Sequence, residues 1–281
     1  MEIFKLLNAG SKQLKNRNIC SHILDSEILL SEALNKTREE LLITHNKKVE
    51  VNKVQKFRDL IKRRSKKEPI AYILNQKEFW SKSFHVSNNT LIPRPETELM
   101  VEKIVKIFKK KESIFILDIG TGSGCILLSL LSDLKNSKGI GIDKSSKAIE
   151  VANRNSIKLK LSRRAKFYSR SLDEFYNNKF DLIVSNPPYI MRKEIKNLSE
   201  DIKKFEPKLA LDGGNDGLDV IKKVIYKSRN ILKIKGMLSL EIGNEQFKKV
   251  SKILKSNKFK TRYLVKDYRE NIRCILSTLE N

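Results

Sequence analysis

From residue 114 to the C-terminus, short apolar runs alternate with stretches of helical periodicity. Strands are predicted at 114–119, 139–143, 165–169, 180–185 and 237–242, and helices at 126–134, 146–161, 219–232 and 247–255. Strand, helix, strand in succession builds a parallel sheet with helices on both faces, because each helical crossover returns the chain to the sheet in the same direction. The chain closes on two strand-like runs, 260–266 and 273–279, with no helix between them. So short a link makes only a hairpin, and the last strand is expected to run antiparallel to its neighbour. The expected fold class is α/β, a doubly wound sheet.

The first 92 residues differ in kind. Residues 1–70 read as helices alone. Thr37 and Glu40 have capping-box spacing, and Leu24, Ile28, Leu29 and Ala33, then Val51, Val54, Phe57 and Leu60, recur at helical intervals. The basic run 62–67 reads as a solvated helix end. Pro69 marks the end of this region. In 71–92, Phe79, Trp80, Phe84 and Val86 lie among polar residues, with Asn88-Asn89 as turn chemistry, so a short hairpin or linker is expected. A helix is predicted at 99–110. The expected organisation is a helical domain over 1–70, a hairpin linker over 71–92 and a catalytic domain over 93–281.

Between the first strand and helix of the alternating region stands Asp118-Ile-Gly120-Thr121-Gly122-Ser123-Gly124. Glycines there let the chain turn tightly and approach a ligand closely. A dinucleotide fingerprint needs a glycine at its sixth position, where this chain has Cys125. The spacing instead resembles motif one of the class I methyltransferases, whose loop cradles the methionine and ribose portion of S-adenosylmethionine. Asp143 ends the next strand, nineteen residues after Gly124. A carboxylate at a strand's carboxyl end can accept from both ribose hydroxyls; the plainer reading is a cap on the following helix. Asp118 either faces the cofactor's ammonium or braces the loop. Cys125 reads as packing, with no histidine nearby in sequence to activate it.

The most specific segment is the apolar run 180–185 followed by Asn186-Pro187-Pro188-Tyr189. Two prolines fix the backbone and remove two donors. The Asn186 side chain offers an acceptor oxygen and Tyr189 a flat face. These features suit an acceptor –NH₂ on a planar π system: its two hydrogens would be held by the Asn186 oxygen and the Pro187 carbonyl, with Tyr189 stacked on its plane. The work is then orientation and electrostatics. No strong base is required, because the nitrogen becomes acidic once it bonds to the methyl carbon. The rival is a Pro-Pro turn that merely ends a strand.

Composition adds bounds. The formal net charge is +25, from 58 basic and 33 acidic residues. Such charge suits a polyanionic partner, although the basic residues are spread along the chain and Lys, Asn and Ile, with their AT-rich codons, abound. Three scattered cysteines and three histidines form no metal-binding pattern. Reduced thiols, no membrane span and no signal-like N-terminus point to the cytoplasm.

Taken together, the segments resemble the PrmC (HemK) family of peptide chain release factor glutamine methyltransferases over nearly the whole chain. Asn-Pro-Pro-Tyr alone is shared with adenine-amino and guanine-amino nucleic acid methyltransferases. The resemblance is carried by Glu78-Phe79-Trp80 with Phe84 and Val86, by Leu91-Ile92-Pro93-Arg94-Pro95-Glu96-Thr97-Glu98, by Glu206-Pro207 running to Gly213-Gly214, Asp216, Gly217 and Leu218, and by Glu241-Ile242-Gly243 with Gln246. It implies a Rossmann-like class I fold with a small N-terminal substrate-binding domain. It also implies S-adenosylmethionine as methyl donor and the glutamine of a Gly-Gly-Gln tripeptide on a release factor as acceptor. Asn186, Pro187, Pro188 and Tyr189 would hold that amide. Gly120, Thr121, Gly122, Ser123, Gly124, Asp143 and Asn186 would border the cofactor.

Two positions depart from the family pattern. Asn75 stands where a glycine is usual. Near the third strand's end, where an acidic and an aromatic residue are usual beside the adenine, counting back from Asn186 places Arg170 and Ser171, with Asp173 two residues on; Ser171 is nominated there. The alternatives are a ribosomal-protein glutamine methyltransferase, a nucleic-acid amino methyltransferase favoured by the charge, and a basic RNA-binding protein on a relic fold.

Overall fold

The structure is a computed structural model that describes residues 1–174 and 179–280. Two compact units divide them: residues 1–76 together with 199–205, and residues 77–198 together with 206 onward.

The first unit is helical: α1 (Ile3–Lys15), α2 (His22–Leu34), α3 (Arg38–Ile43), α4 (Val51–Ser65) and the single turn α5 (Ile70–Ile73). Leu6, Leu14, Leu29, Leu30, Phe57 and Ile61 form its core. Gly10 lets α1 pack closely on α2 and α4: a β-carbon there would lie 2.6 Å from the Phe57 ring and 2.7 Å from Ser26 Oγ. The capping box opens α3, with Thr37 Oγ1 accepting from the Glu40 N–H and Glu40 accepting from the Thr37 N–H. The basic run departs from the solvated helix end expected from sequence: Arg64 Nε donates to Asp25 Oδ2 at 2.7 Å, with side-chain exposures of 11% and 6%. Removing either partner would leave a buried charge, so that arginine belongs to the core.

The second unit opens with a hairpin, β1 (Gln76–Phe79) and β2 (Lys82–His85). Its turn is Trp80-Ser81, both left-handed at φ 53° and 51°, the geometry whose twist matches that of paired strands. Asn88-Asn89, whose composition suggested the turn, lies beyond β2. Asn75 also has a left-handed φ of 52°. Glycine and asparagine are the two residues that tolerate this region best, which accounts for the departure from the family pattern.

Then follow α6 (Pro95–Phe108), β3 (Phe115–Ile119), α7 (Cys125–Asp133), β4 (Lys138–Asp143), α8 (Ser146–Lys158), β5 (Ala165–Ser169) and β6 (Phe180–Ser185). After α9 (Glu200–Phe205), which belongs to the helical unit, come α10 (Asp219–Ile231), β7 (Leu232–Glu241), α11 (Phe247–Ser256), β8 (Phe259–Lys266) and β9 (Ile272–Leu279). Helix α6 starts four residues before the expected 99, because Pro95 fits the first helical position and Glu96 and Glu98 suit the positive end of the helix dipole. This early start places Thr97 on the helix.

The seven-stranded sheet has the order β5-β4-β3-β6-β7-β9-β8. Pairs from β5 to β7 are parallel, and β9 is antiparallel to both β7 and β8, as expected of a hairpin ending. Alternate residues of β3 serve opposite faces. Ile116 belongs to the core cluster that contains Met100, Leu127 and Ala152, while Leu117 belongs to the one that contains Ile221, Val250 and Leu240. Both faces of the central strands are thus buried, which is why β3 and β6 read as nearly continuous apolar runs. Strands β3 and β6 are neighbours, while β4 and β7 flank them, so their carboxyl ends form one edge. The glycine loop after β3, Asp143 at the end of β4, Asn186 after β6 and Glu241 at the end of β7 all lie on that edge or the loops leaving it.

Candidate active site

The loop after β3 is built by its own hydrogen bonds. The Gly120 and Thr121 N–H groups donate to the Ile142 carbonyl at 2.9 and 3.0 Å, and the Gly124 N–H donates to the Thr121 carbonyl at 2.8 Å. Gly122 N–H donates to Asp143 Oδ2 at 3.0 Å. Thr121 Oγ1 donates to Asp118 Oδ2 at 2.6 Å, so Asp118 braces the loop. Burial pushes the Asp118 carboxyl up to about 7, against the Thr121 hydrogen bond. Cys125 is pushed up to about 12, chiefly by burial, and it packs against the core cluster that contains Leu127; a neutral thiol there is no nucleophile.

The three glycines have different duties. All have positive φ, at 72°, 53° and 77°. A β-carbon at Gly120 or Gly122 would meet nothing within 4 Å, so the main chain there borders open space. At Gly124 it would lie 3.1 Å from Phe167 and 3.3 Å from Ala152, so this glycine serves helix–sheet packing. The side chains of Thr121 and Ser123 are buried. A phosphate loop turns its N–H groups toward the anion. Here those of Gly120, Thr121, Gly122 and Gly124 are spent inside the protein, which suits a zwitterionic sulfonium ligand such as S-adenosylmethionine better than a dinucleotide.

Asp143 ends β4 and accepts from Gly122 N–H and, through Oδ1, from Ser145 N–H at 2.9 Å. It is not the cap of α8. Ser145 fills that position, its hydroxyl accepting from the Ala148 N–H. Desolvation raises the Asp143 carboxyl above its ordinary range, opposed by those N–H donors. The half-buried carboxylate retains lone pairs for ribose hydroxyls. Ser169 pairs with Asp143 across the sheet, and the Arg170 N–H donates to the Asp143 carbonyl at 2.9 Å. Ser171 therefore follows directly beside the Asp143 end. Its hydroxyl donates to Asp173 Oδ2 at 3.3 Å. Asp173 turns toward α10, pairing with Lys223 and, at 3.4 Å, with Lys227.

At the end of β6, Asn186 Nδ2 donates to Thr97 Oγ1 at 3.3 Å, and Thr97 Oγ1 donates to Glu241 Oε2 at 2.6 Å. Glu241 Oε1 accepts from the Tyr189 hydroxyl at 3.4 Å, and Arg273 Nη2 donates to that hydroxyl at 3.5 Å. Glu241 is 1% exposed. Desolvation raises its carboxyl above the ordinary range, opposed first by the Thr97 hydrogen bond and then by the Arg273 charge. The Tyr189 hydroxyl is pushed up to about 12 by burial and by the Glu241 charge, so it stays protonated. Among the described residues, no donor of the protein occupies Asn186 Oδ1 or the Pro187 carbonyl. Both are free to accept.

The other motif segments close around this turn. Gly213 N–H donates to the Ile190 carbonyl at 2.9 Å, and a β-carbon on Gly213 would lie 2.8 Å from the Pro188 carbonyl oxygen. Gln246 Nε2 donates to the Tyr189 and Gly217 carbonyls at 3.0 and 3.2 Å. Buried Glu206 accepts from Arg94 Nη2 at 2.7 Å and from the Ile92 N–H at 3.3 Å. Trp80 N–H donates to Glu98 Oε1 at 3.1 Å. A cleft of about 850 Å³ lies alongside, lined by Trp80, Glu96, Leu99, Asn244, Tyr268 and Arg273. Sequence reasoning named Thr97, Glu241 and Gln246 only as motif letters. Their partners lie up to 144 residues away, and no local signal announces such contacts.

Comparison with known proteins agrees with this geometry. Residues 5–74 match the family described as the PrmC N-terminal domain, and residues 109–275 match a methyltransferase domain. A release factor glutamine methyltransferase of Caulobacter vibrioides is 34% identical over 98% of this chain and 96% of its own. One from Buchnera aphidicola subsp. Schizaphis graminum is 44% identical over 93% of this chain and 94% of its own. Among solved structures, the hMettl16 catalytic domain aligns with a TM-score of 0.60 at 16% identity, covering 79% of this chain and 83% of that one. A ribosomal protein L11 methylase of Lactobacillus delbrueckii subsp. bulgaricus aligns with a TM-score of 0.52 at 17% identity over 70% and 84%. At such identities the structures speak for the class I methyltransferase fold alone. The sequence relatives speak for more: this chain belongs to the PrmC family of release factor glutamine methyltransferases, enzymes that use S-adenosylmethionine as methyl donor.

Proposed function

We propose that this enzyme transfers a methyl group to the side-chain amide nitrogen of the glutamine in the Gly-Gly-Gln tripeptide of peptide chain release factors. The observation that carries the reading is the unoccupied pair of acceptors at the end of β6, Asn186 Oδ1 and the Pro187 carbonyl, beside a Tyr189 ring that stays neutral. A primary amide has two N–H hydrogens in one plane, and this pair receives both. Its lone pair is delocalised, so aligning the nitrogen is the main catalytic contribution. Pro188 holds the turn rigid. S-adenosylmethionine supplies an electrophilic methyl group. Gly120, Gly122 and Asp143 would border its methionine and ribose portion, with Thr121, Ser123 and Gly124 holding the loop and Ser171 near the adenine.

The helical N-terminal unit would hold the release factor. A groove of about 930 Å³ in that unit is lined by Lys12, Arg17, Lys62, Lys66 and Lys204, with no acidic residue. Such a lining suits an acidic protein face. Among the described residues no helix is long and apolar enough to cross a membrane, and we place the reaction in the cytoplasm, where release factors act.

The test is transfer from labelled S-adenosylmethionine to purified release factor, to the same factor with Gly-Gly-Ala, to ribosomal proteins and to nucleic acids, each offered separately. Label on the Gly-Gly-Gln factor alone is expected. Label on the Gly-Gly-Ala factor, on ribosomal proteins or on nucleic acids at comparable rates would overturn the reading in favour of the corresponding acceptor.

A further inference from the structure

We propose that Thr97 and Glu241 are positioning residues whose buried hydrogen-bond chain decides which end of the Asn186 amide faces the acceptor. The inference rests on the reading of Asn186 as the residue that receives the glutamine amide hydrogens.

The two ends of an asparagine amide have nearly the same shape and opposite hydrogen-bonding character. With Oδ1 outward the side chain accepts from the acceptor nitrogen; with Nδ2 outward it repels the same N–H. Something must fix the choice. Thr97 Oγ1 lies 3.3 Å from Asn186 Nδ2 and 2.6 Å from Glu241 Oε2. A hydroxyl has one hydrogen to give. Thr97 gives that hydrogen to Glu241 Oε2. What remains on Thr97 toward Asn186 is a lone pair, which takes the amide NH₂ and excludes the amide oxygen. Oδ1 is thereby turned outward.

The same carboxylate holds the other end of the motif through Tyr189. Arg273 supplies the opposing charge that such a buried carboxylate needs. The arrangement joins α6, β7 and the turn after β6, so the polarity of Asn186 is set by two elements far from it in sequence. Reversing the chain's polarity requires only that Glu241 become a donor. In Glu241→Gln the new NH₂ can donate to Thr97, whose hydrogen then turns to Asn186 and draws its oxygen inward.

The experiment uses the full-length enzyme and an intact release factor carrying Gly-Gly-Gln. Single-turnover rate, KM and S-adenosylmethionine affinity are measured for Thr97→Val, Thr97→Ser and Glu241→Gln. Thr97→Val keeps the shape and is expected to slow transfer by about 10- to 100-fold, the scale of a modest misalignment, with KM and cofactor affinity within about threefold. Thr97→Ser restores the hydroxyl and should return the rate to within about threefold of the parent. Glu241→Gln should slow transfer like Thr97→Val, and the double variant should be no slower than either, because both break one chain. Retained cofactor affinity certifies the fold. Parent-like rates in Thr97→Val, or a serine variant as slow as the valine one, would overturn the inference while leaving the Gly-Gly-Gln reading intact. If the parent itself ignores the Gly-Gly-Gln factor, that reading fails instead. The positioning claim is then read from hydrogen exchange of the Asn186 side-chain NH₂, expected slow in the parent and fast in Thr97→Val. Equal exchange in both would overturn it.

Discussion

Gln246 is bound to the turn that carries Tyr189 by a main-chain contact: its Nε2 donates to the Tyr189 carbonyl at 3.0 Å, while its Oε1 accepts from the Gly243 N–H at 2.9 Å. With the further bond to Gly217, one half-buried amide ties together three loops at the sheet's carboxyl edge. The turn after β6 is therefore held by a side chain from the loop after β7. Gln246→Ala leaves two carbonyls and one N–H without this partner. A loss of roughly 2–4 kcal/mol in unfolding free energy is expected, at about 1 kcal/mol or more per bond. Denaturant unfolding of the catalytic unit checks this. Gln246→Glu is expected to be worse than neutral, because it replaces the donor facing two carbonyls with a charge.

Asp118 gives the fold a pH dependence with a definite sign. Its ordinary value is 3.8 and burial moves it to about 7 in the folded protein. The folded state therefore binds its proton more tightly than the unfolded chain. Stability contributed by that proton is complete below the ordinary value and is lost as pH rises through the folded one. At about 1.4 kcal/mol per pH unit, the loss between pH 4 and pH 8 is on the order of 4 kcal/mol. Asp118→Asn keeps an acceptor for Thr121 and cannot ionise. The difference in unfolding free energy between parent and variant should swing toward the variant with rising pH. Parallel curves would refute the burial-driven shift.

Much of this architecture was legible in the chain, and the failures have identifiable causes. The segments 165–169 and 180–185 are strands with those same limits; for 180–185 the reason is near-complete burial of the strand, which leaves little ambiguity at its ends. Helix α6 begins at Pro95, four residues ahead of the expected 99, because proline is well suited to a first turn. The hairpin turn fell at Trp80-Ser81 and not at an Asn-Asn pair, since pairing of β1 with β2 overrides local turn preference. The return of 199–205 to the helical unit has no local mark at all. At the site, Asn186, Tyr189 and Asp143 stood out in the sequence by chemistry and position. Thr97 and Glu241 did not, since a threonine on a helix and a glutamate ending a strand are commonplace until the fold brings them to 2.6 Å.

Asp143 has one structural task, and the ribose role proposed for it is a second that substitutions can separate from the first. It holds the Gly122 and Ser145 N–H groups and leaves lone pairs for ribose hydroxyls. Asp143→Ala removes both and is expected to weaken S-adenosylmethionine binding by roughly 1.5–3 kcal/mol, about 10- to 100-fold. Asp143→Asn keeps one acceptor oxygen and should fall between. Calorimetric titration of the folded variants decides, and unchanged affinity in the alanine variant would remove the ribose assignment.

The basic groove of the helical unit predicts a substrate effect without a chemical one. Lys12→Glu with Lys66→Glu changes the charge of its lining by four units in total. Methylation of intact release factor should then show KM raised by about tenfold at low salt, with the gap closing as salt screens the surface. Methylation of a short Gly-Gly-Gln peptide and cofactor affinity should stay as in the parent. Equal KM values for the intact factor across salt concentrations would assign this groove another role.

Asn186 carries the sharpest prediction. Asn186→Ala should bind S-adenosylmethionine nearly normally and methylate about 10²-fold or more slowly, because a misplacement of about 1 Å at the nucleophile costs that much. Asn186→Asp is the more informative change. It keeps an acceptor for the glutamine N–H but loses the donor that Thr97 Oγ1 now receives at 3.3 Å. The added negative charge beside a sulfonium favours the ground state, where the positive charge is full, over the transition state, where it is fading. Cofactor affinity should therefore hold or improve while the single-turnover rate falls below the parent and stays above the alanine variant. Adding Thr97→Val should slow the Asp variant less than it slows the parent, because the link from Thr97 to an amide NH₂ is already gone. Full activity in Asn186→Ala would remove Asn186 from the mechanism, and an Asp variant slower than Ala would mean that the charge, and not the acceptor geometry, governs the rate.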